Sequence, residues 1–141
     1  MVDRKFWISG VVMAVLSCLA DFGINGFLLY DDYAPLEGTL FRPLDEAQGY
    51  FIYMAIAYLL FGFALTWIYR QGKTEGASAL GQGARFGLAV AALAVVPVFL
   101  IYYAVQPMPG ALVVKQIVLG SIGAVLLGIV VAYLNRAPGE A

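Results

Sequence analysis

Three polar side chains interrupt the first apolar segment of the chain at intervals of four: Ser17, Asp21 and Asn25. Residues four apart lie on the same face of an α-helix, so these side chains form one polar stripe. At 1.5 Å per residue, Asp21 lies roughly 13 Å below Tyr30, close to the middle of a bilayer. An aspartate at that depth costs on the order of 2.5–3.5 kcal/mol, so we expect the stripe to face the interior of a helix bundle.

The chemistry open to Asp21 is the binding of a proton or a cation. Removing a carboxyl from water disfavours its charged form, so we expect Asp21 to be largely protonated at neutral pH. The alternative is a structural carboxyl that is protonated or hydrogen-bonded to Ser17 or Asn25. Pairing with Arg42 or Lys115 is less favoured, because both lie nearer the outer surface. The sequence leaves the functional and the structural interpretation open.

The amino-acid composition indicates that most of the protein surface faces lipid and not water. Of the 141 residues, 62% are hydrophobic and 12% are charged, and the mean hydropathy is +0.87. A small soluble domain cannot bury that much apolar surface. The chain has no histidine and one cysteine, Cys18, which excludes Ser-His or Cys-His pairs and Cys-ligated clusters. We therefore expect no enzyme and no nucleic-acid partner.

Four apolar segments are each long enough to cross a bilayer, about residues 6–30, 50–69, 85–103 and 113–135. They predict an all-α polytopic membrane protein, a four-transmembrane-helix bundle that forms one domain over residues 1–141. An acidic loop, 31–49, and a Gly- and Ser-rich loop, 70–84, connect the first three segments. Pro43, followed by acids that suit a first turn, predicts that the second helix begins near that proline.

Basic residues predict the orientation. Six of the eight Lys and Arg residues fall on the side of the two chain ends and the 70–84 loop. Because cytoplasmic loops are enriched in such residues, both termini should be cytoplasmic and the 31–49 loop outside. The six are Arg4, Lys5, Arg70, Lys73, Arg85 and Arg136.

The two halves of the chain resemble each other. Phe27-Leu28-Leu29-Tyr30 matches Phe99-Leu100-Ile101-Tyr102, and Gly62 and Arg70 match Gly128 and Arg136. These matches indicate a duplicated helical hairpin, with both copies in the same orientation. The alternative is that apolar helices share leucine and glycine by composition alone.

Small residues at intervals of four mark faces where helix backbones can approach each other. The third segment has Gly83, Gly87 and Ala91, and the fourth has Gly120, Ala124 and Gly128. The first has Gly10, Ala14 and Cys18. We expect two of these three stripes to pack within the chain, and the third is open to a partner or to a second copy.

Two motif-like segments do not carry cofactor chemistry. Gly72-Lys73-Thr74 lacks the earlier glycine of a phosphate-binding loop. The acids of the outer loop lack the regular ligand spacing of a calcium loop. We therefore expect no cofactor and no metal, and we interpret these acids as a solvated surface. They are Asp31, Asp32, Glu37, Asp45 and Glu46.

Three segments carry a family resemblance: Phe22-Gly23-Ile24-Asn25-Gly26-Phe27-Leu28-Leu29, Gly62 with Leu65-Thr66-Trp67-Ile68-Tyr69, and Gly83-Ala84-Arg85-Phe86-Gly87-Leu88. Together they resemble small bacterial four-span inner-membrane proteins of unknown function. The resemblance implies a multi-pass topology in the bacterial inner membrane. It implies no activity, and nothing about Asp21 follows from it.

Two functions remain in view. The first is a non-catalytic accessory or scaffold subunit of a membrane assembly, with the lipid bilayer and another membrane protein as partners. The second is a small homo-oligomeric transporter or channel, with Asp21 on a proton or cation path. A membrane enzyme ranks third, because its paired acids have no nucleophile or metal-ligand set beside them.

Overall fold

The structure, a computed structural model, describes residues 2–137. Four helices in this range are long and apolar enough to cross a membrane: α1 (Arg4–Leu28), α2 (Leu44–Gly72), α3 (Ala79–Val105) and α4 (Gly110–Asn135). The described residues form no β-strand; their only bridge joins Glu37 and Phe41. The predicted all-α, four-helix membrane bundle is confirmed.

Local sequence sets where the helices begin. Asp3 caps α1 by accepting a hydrogen bond from the Phe6 amide, and Ser78 caps α3 in the same way. α2 begins at Leu44, directly after Pro43, as predicted. α2 and α3 both begin earlier than the apolar segments do. The first turns of these two helices are too polar for hydropathy to detect. Pro43 before α2 and the capping Ser78 before α3 are the residues that start each helix there.

Contacts between the chain segments define two ends of the bundle. The Lys5 ammonium donates to the carbonyl oxygen of Arg136 at 2.6 Å, and the Lys73 ammonium donates to that of Asn135 at 3.1 Å. The start of α1, the end of α4 and the α2–α3 turn therefore lie together at one end of the bundle, here called the termini end. The opposite end, the connector end, carries the connector, residues 29–43.

Glycine contacts hold α3 against α4. A Cβ atom on Gly83 would lie 2.6 Å from the carbonyl oxygen of Gly128, and one on Gly87 would lie 2.5 Å from the Cα of Val125. Real side chains do not approach so closely, so only glycine permits this backbone distance. Ala124 is buried in the same contact. The structure thus brings the predicted stripes of the third and fourth segments together.

The remaining small residues also meet neighbours within the chain. Gly120 faces the Val95 side chain, at 2.9 Å from the position of an added Cβ. A Cβ on Gly62 of α2 would meet the backbone of Gly10 and Ala14 in α1. Cys18, the last member of the first stripe, is exposed. The stripe of the first segment therefore also packs inside the molecule, at its first two positions, so none of the three stripes is wholly left for a partner.

Packing is uneven along the bundle axis. At the termini end, all four helices contribute buried apolar residues, Met13, Leu65, Ala79 and Val131 among them. At the connector end a second core joins the connector to the start of α4. Neither residues 44–61 of α2 nor residues 92–105 of α3 include a buried residue. α2 and α3 are therefore loosely packed in their connector halves. The second core consists of Leu29, Met108, Leu112 and Val113.

A widened π-helical segment interrupts the first helix of each hairpin. α1 becomes π-helical over Phe22–Leu28, and α3 does so over Ala91–Val95. In α3 the cause is Pro97, which lacks the N–H that an α-helical ladder would use. Both hairpins thus share a π segment and a close contact at the matched glycines, Gly62 and Gly128. The duplicated hairpin itself stays a prediction.

Candidate intramembrane polar site

Asp21 is the last residue before the π segment of α1, and both of its carboxyl oxygens accept hydrogen bonds. The Asn25 amide donates to Oδ1 at 2.7 Å, and the Tyr58 hydroxyl of α2 donates to Oδ2 at 2.5 Å. Such charge-assisted bonds are stronger than neutral ones when the carboxyl is ionised. Asp21 therefore links α1 to α2 within their predicted membrane spans.

The hydrogen bonds continue from Asn25 to the other hairpin. The Tyr33 hydroxyl, in the connector, donates to Oδ1 of Asn25 at 3.0 Å, and the Gln116 amide of α4 donates to the Tyr33 hydroxyl. Burial raises the pKa of Tyr33, so its hydroxyl keeps the proton that it donates at neutral pH. The result is one chain of contacts from α4 through the connector to α1.

Every donor in this polar network points toward Asp21. Gln116 donates to Tyr33, Tyr33 to Asn25 and Asn25 to Asp21. The network therefore ends on the Asp21 carboxyl and begins at Gln116, whose Oε1 atom is an acceptor. That oxygen is buried and has no hydrogen-bond donor among the residues that the structure describes. A buried acceptor left unpaired costs about 1–3 kcal/mol.

Ser17 has a different role from that predicted for the stripe. Its hydroxyl is buried and donates to the carbonyl oxygen of Met13, one turn earlier in α1, at 2.7 Å. The serine lines the same cavity as Asp21 and Asn25. Its hydroxyl, however, is hydrogen-bonded within α1, so Ser17 is not part of the network that connects Asp21 and Asn25. The stripe shares a face, but only Asp21 and Asn25 bind each other.

Two cavities meet at Asp21. The central cavity, about 400 Å³, is lined by all four helices, including Asp21, Tyr58 and Gln116. The lateral cavity, about 640 Å³, lies between α1 and α2 and is lined by Cys18, Asp21, Tyr58 and Tyr33 among others. Both volumes are in the range of small-molecule sites. Asp21, Asn25 and Tyr58 line both cavities, so this hydrogen-bonded group lies between them.

The two basic residues considered as partners of Asp21 form ion pairs with other acids. Lys115 forms an ion pair with Asp32 at 2.7 Å, and Arg42 forms one with Glu46 at 2.6 Å. The predicted outer acids are thus partly paired at the surface. Within residues 2–137, no three His, Cys, Asp or Glu side chains come together as a metal site would require. Asp21 is left facing hydroxyl and amide groups.

A second polar cluster lies at the termini end. The buried Asn135 amide of α4 donates to the Ser9 hydroxyl of α1 at 2.8 Å. That hydroxyl lies 3.3 Å from the buried hydroxyl of Thr66 in α2. The cluster joins three helices at the level where they pack most tightly. Sequence analysis did not identify it, because its members come from three separate segments.

Sequence analysis considered Asn25 as a partner of Asp21 but missed Tyr58 and the rest of the network, Tyr33 and Gln116. Tyr58 and Gln116 could have been recognised as candidates from the sequence, because each places a polar group inside an apolar segment. Tyr33 could not have been recognised in this way, because a tyrosine at the outer boundary is typical of an interfacial aromatic belt.

Comparisons of this chain with models of known families, with curated proteins and with solved structures find no match.

Proposed function

We propose that this chain is a small membrane carrier in which Asp21 binds a proton or a cation on a path across the bilayer. The observation that supports it is the position of the Asp21 carboxyl at the meeting point of two cavities, at a depth that the sequence predicts to be near the middle of the membrane. Ionisable groups inside membranes are costly and mark ion pathways and proton relays. The proposed role is non-catalytic.

The packing of the bundle supports the same proposal. Glycine contacts and the Ser9–Thr66–Asn135 cluster close the termini end. The connector halves of α2 and α3 are loosely packed, and both cavities lie on that side of the tightly packed region. A carrier needs a site that is closed toward one side while the other side can open, and this asymmetry fits one such state.

We further propose that the protein resides in the bacterial inner membrane with both termini in the cytoplasm. The support is the distribution of the basic residues and the resemblance described above. One chain supplies all four helices around the central cavity. The carrier proposal therefore does not require a homo-oligomer. The homo-oligomer considered in the sequence analysis stays a prediction.

Flux into proteoliposomes tests the carrier. Proton entry is followed with an enclosed pH-sensitive dye under a pH gradient, and cation entry is followed under a cation gradient. Asp21→Asn should abolish the flux while the protein stays folded. Asp31→Asn is the matched control, because it makes the same change at an exposed acid of the connector. Wild-type vesicles without flux under any gradient would overturn the proposal, as would full flux by the Asp21→Asn variant.

An accessory or scaffold subunit is the second candidate. It is favoured by the apolar surface on the connector half of α3, where Leu93 is 79% exposed and no residue from 92 to 105 is buried. A helix of another membrane protein would have access to that surface. Gentle purification from the native membrane should then yield a stoichiometric partner, and Leu93→Trp should release it. A homogeneous preparation of this chain alone would contradict the accessory role.

A further inference from the structure

A third cavity lies between α2 and α3 at the termini end, away from Asp21. Its volume is about 410 Å³, and Arg85, Thr74 and Gln82 are among the residues that line it. Arg85 lies roughly 9 Å along α3 from the start of that helix. It is also the first residue of the third predicted membrane segment. We therefore expect this cavity at the level of the lipid headgroups.

Two hydrogen-bond donors of this cavity have no partner among the residues that the structure describes. The Arg85 side chain is exposed and forms no ion pair or hydrogen bond with any of them. The same holds for the Thr74 hydroxyl. No described residue that lines the cavity is acidic, and Glu75, in the same turn, is exposed and lies outside the lining. The cavity thus carries a positive charge that no acid in its wall balances.

The side chain of Gln82 holds the two donors in place. Its Oε1 atom accepts from the Thr74 amide at 2.7 Å. Its Nε2 atom donates to the carbonyl oxygens of Thr74 and Ala77, both at 2.9 Å. Gln82 and Arg85 are three residues apart and so lie on the same face of α3. The turn is therefore fixed next to Arg85 before any ligand binds, which lowers the cost of ordering the site.

The chemistry of these donors matches a phosphate group. A guanidinium can bind two phosphate oxygens at once, and a hydroxyl can donate to a third. The cavity also has apolar walls, Ile68 of α2 and Phe86 of α3. Ile68 is 50% exposed, so the apolar side of the cavity reaches the outer surface of the bundle.

We propose that this cavity binds the phosphate of an anionic phospholipid, with the Arg85 guanidinium and the Thr74 hydroxyl as donors and the acyl chains along Ile68 and Phe86. A soluble phosphate would leave the apolar walls unused. A zwitterionic headgroup would bring a cation that no acid of the cavity balances. Basic pockets between membrane helices are a known type of site for anionic headgroups. The inference goes beyond the carrier proposal and does not depend on it.

Lipid titration tests the site in the whole protein. The protein is titrated in detergent with phosphatidylglycerol or with phosphatidylcholine of the same acyl chains, and native mass spectrometry gives the affinity for the first bound lipid. We expect phosphatidylglycerol to bind about fivefold more tightly, as one basic residue near an anionic headgroup predicts. An excess of glycerol phosphate should not displace it, because that competitor has no acyl chains.

Variants assign the preference to single residues. Arg85→Gln should remove it, and Arg85→Lys should keep only part of it, because lysine retains the charge without the planar fork. Thr74→Val should weaken phosphatidylglycerol binding and leave the turn in place, because Gln82 binds the backbone of Thr74. Arg4→Gln is the matched control, since Arg4 is an exposed basic residue at the same end that does not line the cavity.

Four results would overturn the inference. Equal affinity of the wild-type protein for the two lipids would mean that the cavity does not select an anionic headgroup. An equal loss in Arg4→Gln and Arg85→Gln would assign the preference to the overall positive charge of the termini end. A Thr74→Val protein that binds as the wild type does would contradict the two-donor site. Displacement by glycerol phosphate would assign the cavity to a soluble phosphate. If Arg85→Gln does not fold, the headgroup preference of the wild type and the competition still decide the question.

Discussion

Gly83 and Gly128 contact each other backbone to backbone across the α3–α4 hairpin. A Cβ atom added to Gly128 would lie 2.5 Å from the carbonyl oxygen of Gly83 and 2.7 Å from the Cα of Gly87. Without a hydrophobic drive between helices in lipid, such close approach is a main source of association. The second hairpin therefore depends on the absence of side chains at these positions.

Gly128→Leu should destabilise the bundle, because the new side chain meets backbone atoms that cannot move aside. Overpacking a well-packed contact costs about 1–3 kcal/mol, and a backbone clash should be at the upper end or above. The measurement is thermal unfolding in detergent. Gly23→Leu is the control, since a Cβ on Gly23 has nothing within 4 Å. Equal stability of the two variants would contradict the contact.

Asp21→Leu should lower stability more than Asp21→Asn does. Leucine leaves the Asn25 amide and the Tyr58 hydroxyl without their acceptor, at a cost of about 1–3 kcal/mol for each group that stays buried. Asparagine keeps one oxygen and fills the same space. Adding Tyr58→Phe to Asp21→Leu should recover part of the loss, because the unpaired hydroxyl is then removed. Strictly additive effects would mean that the two side chains do not interact.

The Asp3–Arg70 pair predicts a loss of stability in acid. Arg70 donates to both carboxylate oxygens of Asp3, at 2.8 and 2.7 Å, and this holds the pKa of Asp3 well below its usual range. A lowered pKa contributes stability above the unfolded-state value of about 3.9, and the contribution is lost as pH falls below it. Asp3→Asn keeps the helix cap and removes the charge, so its melting temperature should fall less between pH 5 and pH 2.5. A slope equal to that of the wild type would contradict the prediction, and Asp31→Asn should keep that slope.

Two cysteine substitutions test the orientation. In a Cys18→Ala background, Thr39→Cys in the connector should react with an impermeant thiol reagent added outside intact cells. Thr74→Cys in the α2–α3 turn should react only after lysis. Both threonines are exposed, so access to the side chain is matched. A reporter enzyme active only in the periplasm, fused after Arg136, should be silent; the opposite pattern would reverse the topology.

What the sequence predicts here follows from local physics. The membrane spans can be recognised from segment length and hydropathy alone. Asp21 can be recognised from its predicted depth in the first span. The stripes containing Gly83 and Gly128 follow from helical spacing. Spacing does not say which stripe meets which, because pairing depends on how the hairpins turn against each other.

The hydrogen-bond network that extends from Asp21 and Asn25 to the other helices depends on the tertiary structure. Gln116 reaches Asn25 only through Tyr33, which the connector folds back toward the membrane. No periodic pattern links these positions. The π segment after Asp21 also has no marker as clear as Pro97 provides in α3. The protonation state expected for Asp21 stays a prediction, while the structure adds the donors that surround its carboxyl.

The uneven packing of α2 also has a mechanical consequence. Its firm contact with α1 is at Gly62, and the helix continues from there to Leu44 without a buried residue. At 1.5 Å per residue this segment is a lever about 27 Å long. A rotation of about 5° at Gly62 moves its far end by about 2 Å. Since Tyr58 lies one turn from that pivot, its hydroxyl shifts by only a fraction of an ångström. The wall of the lateral cavity can therefore swing outward among the lipid tails while the hydrogen bond to Asp21 stays intact.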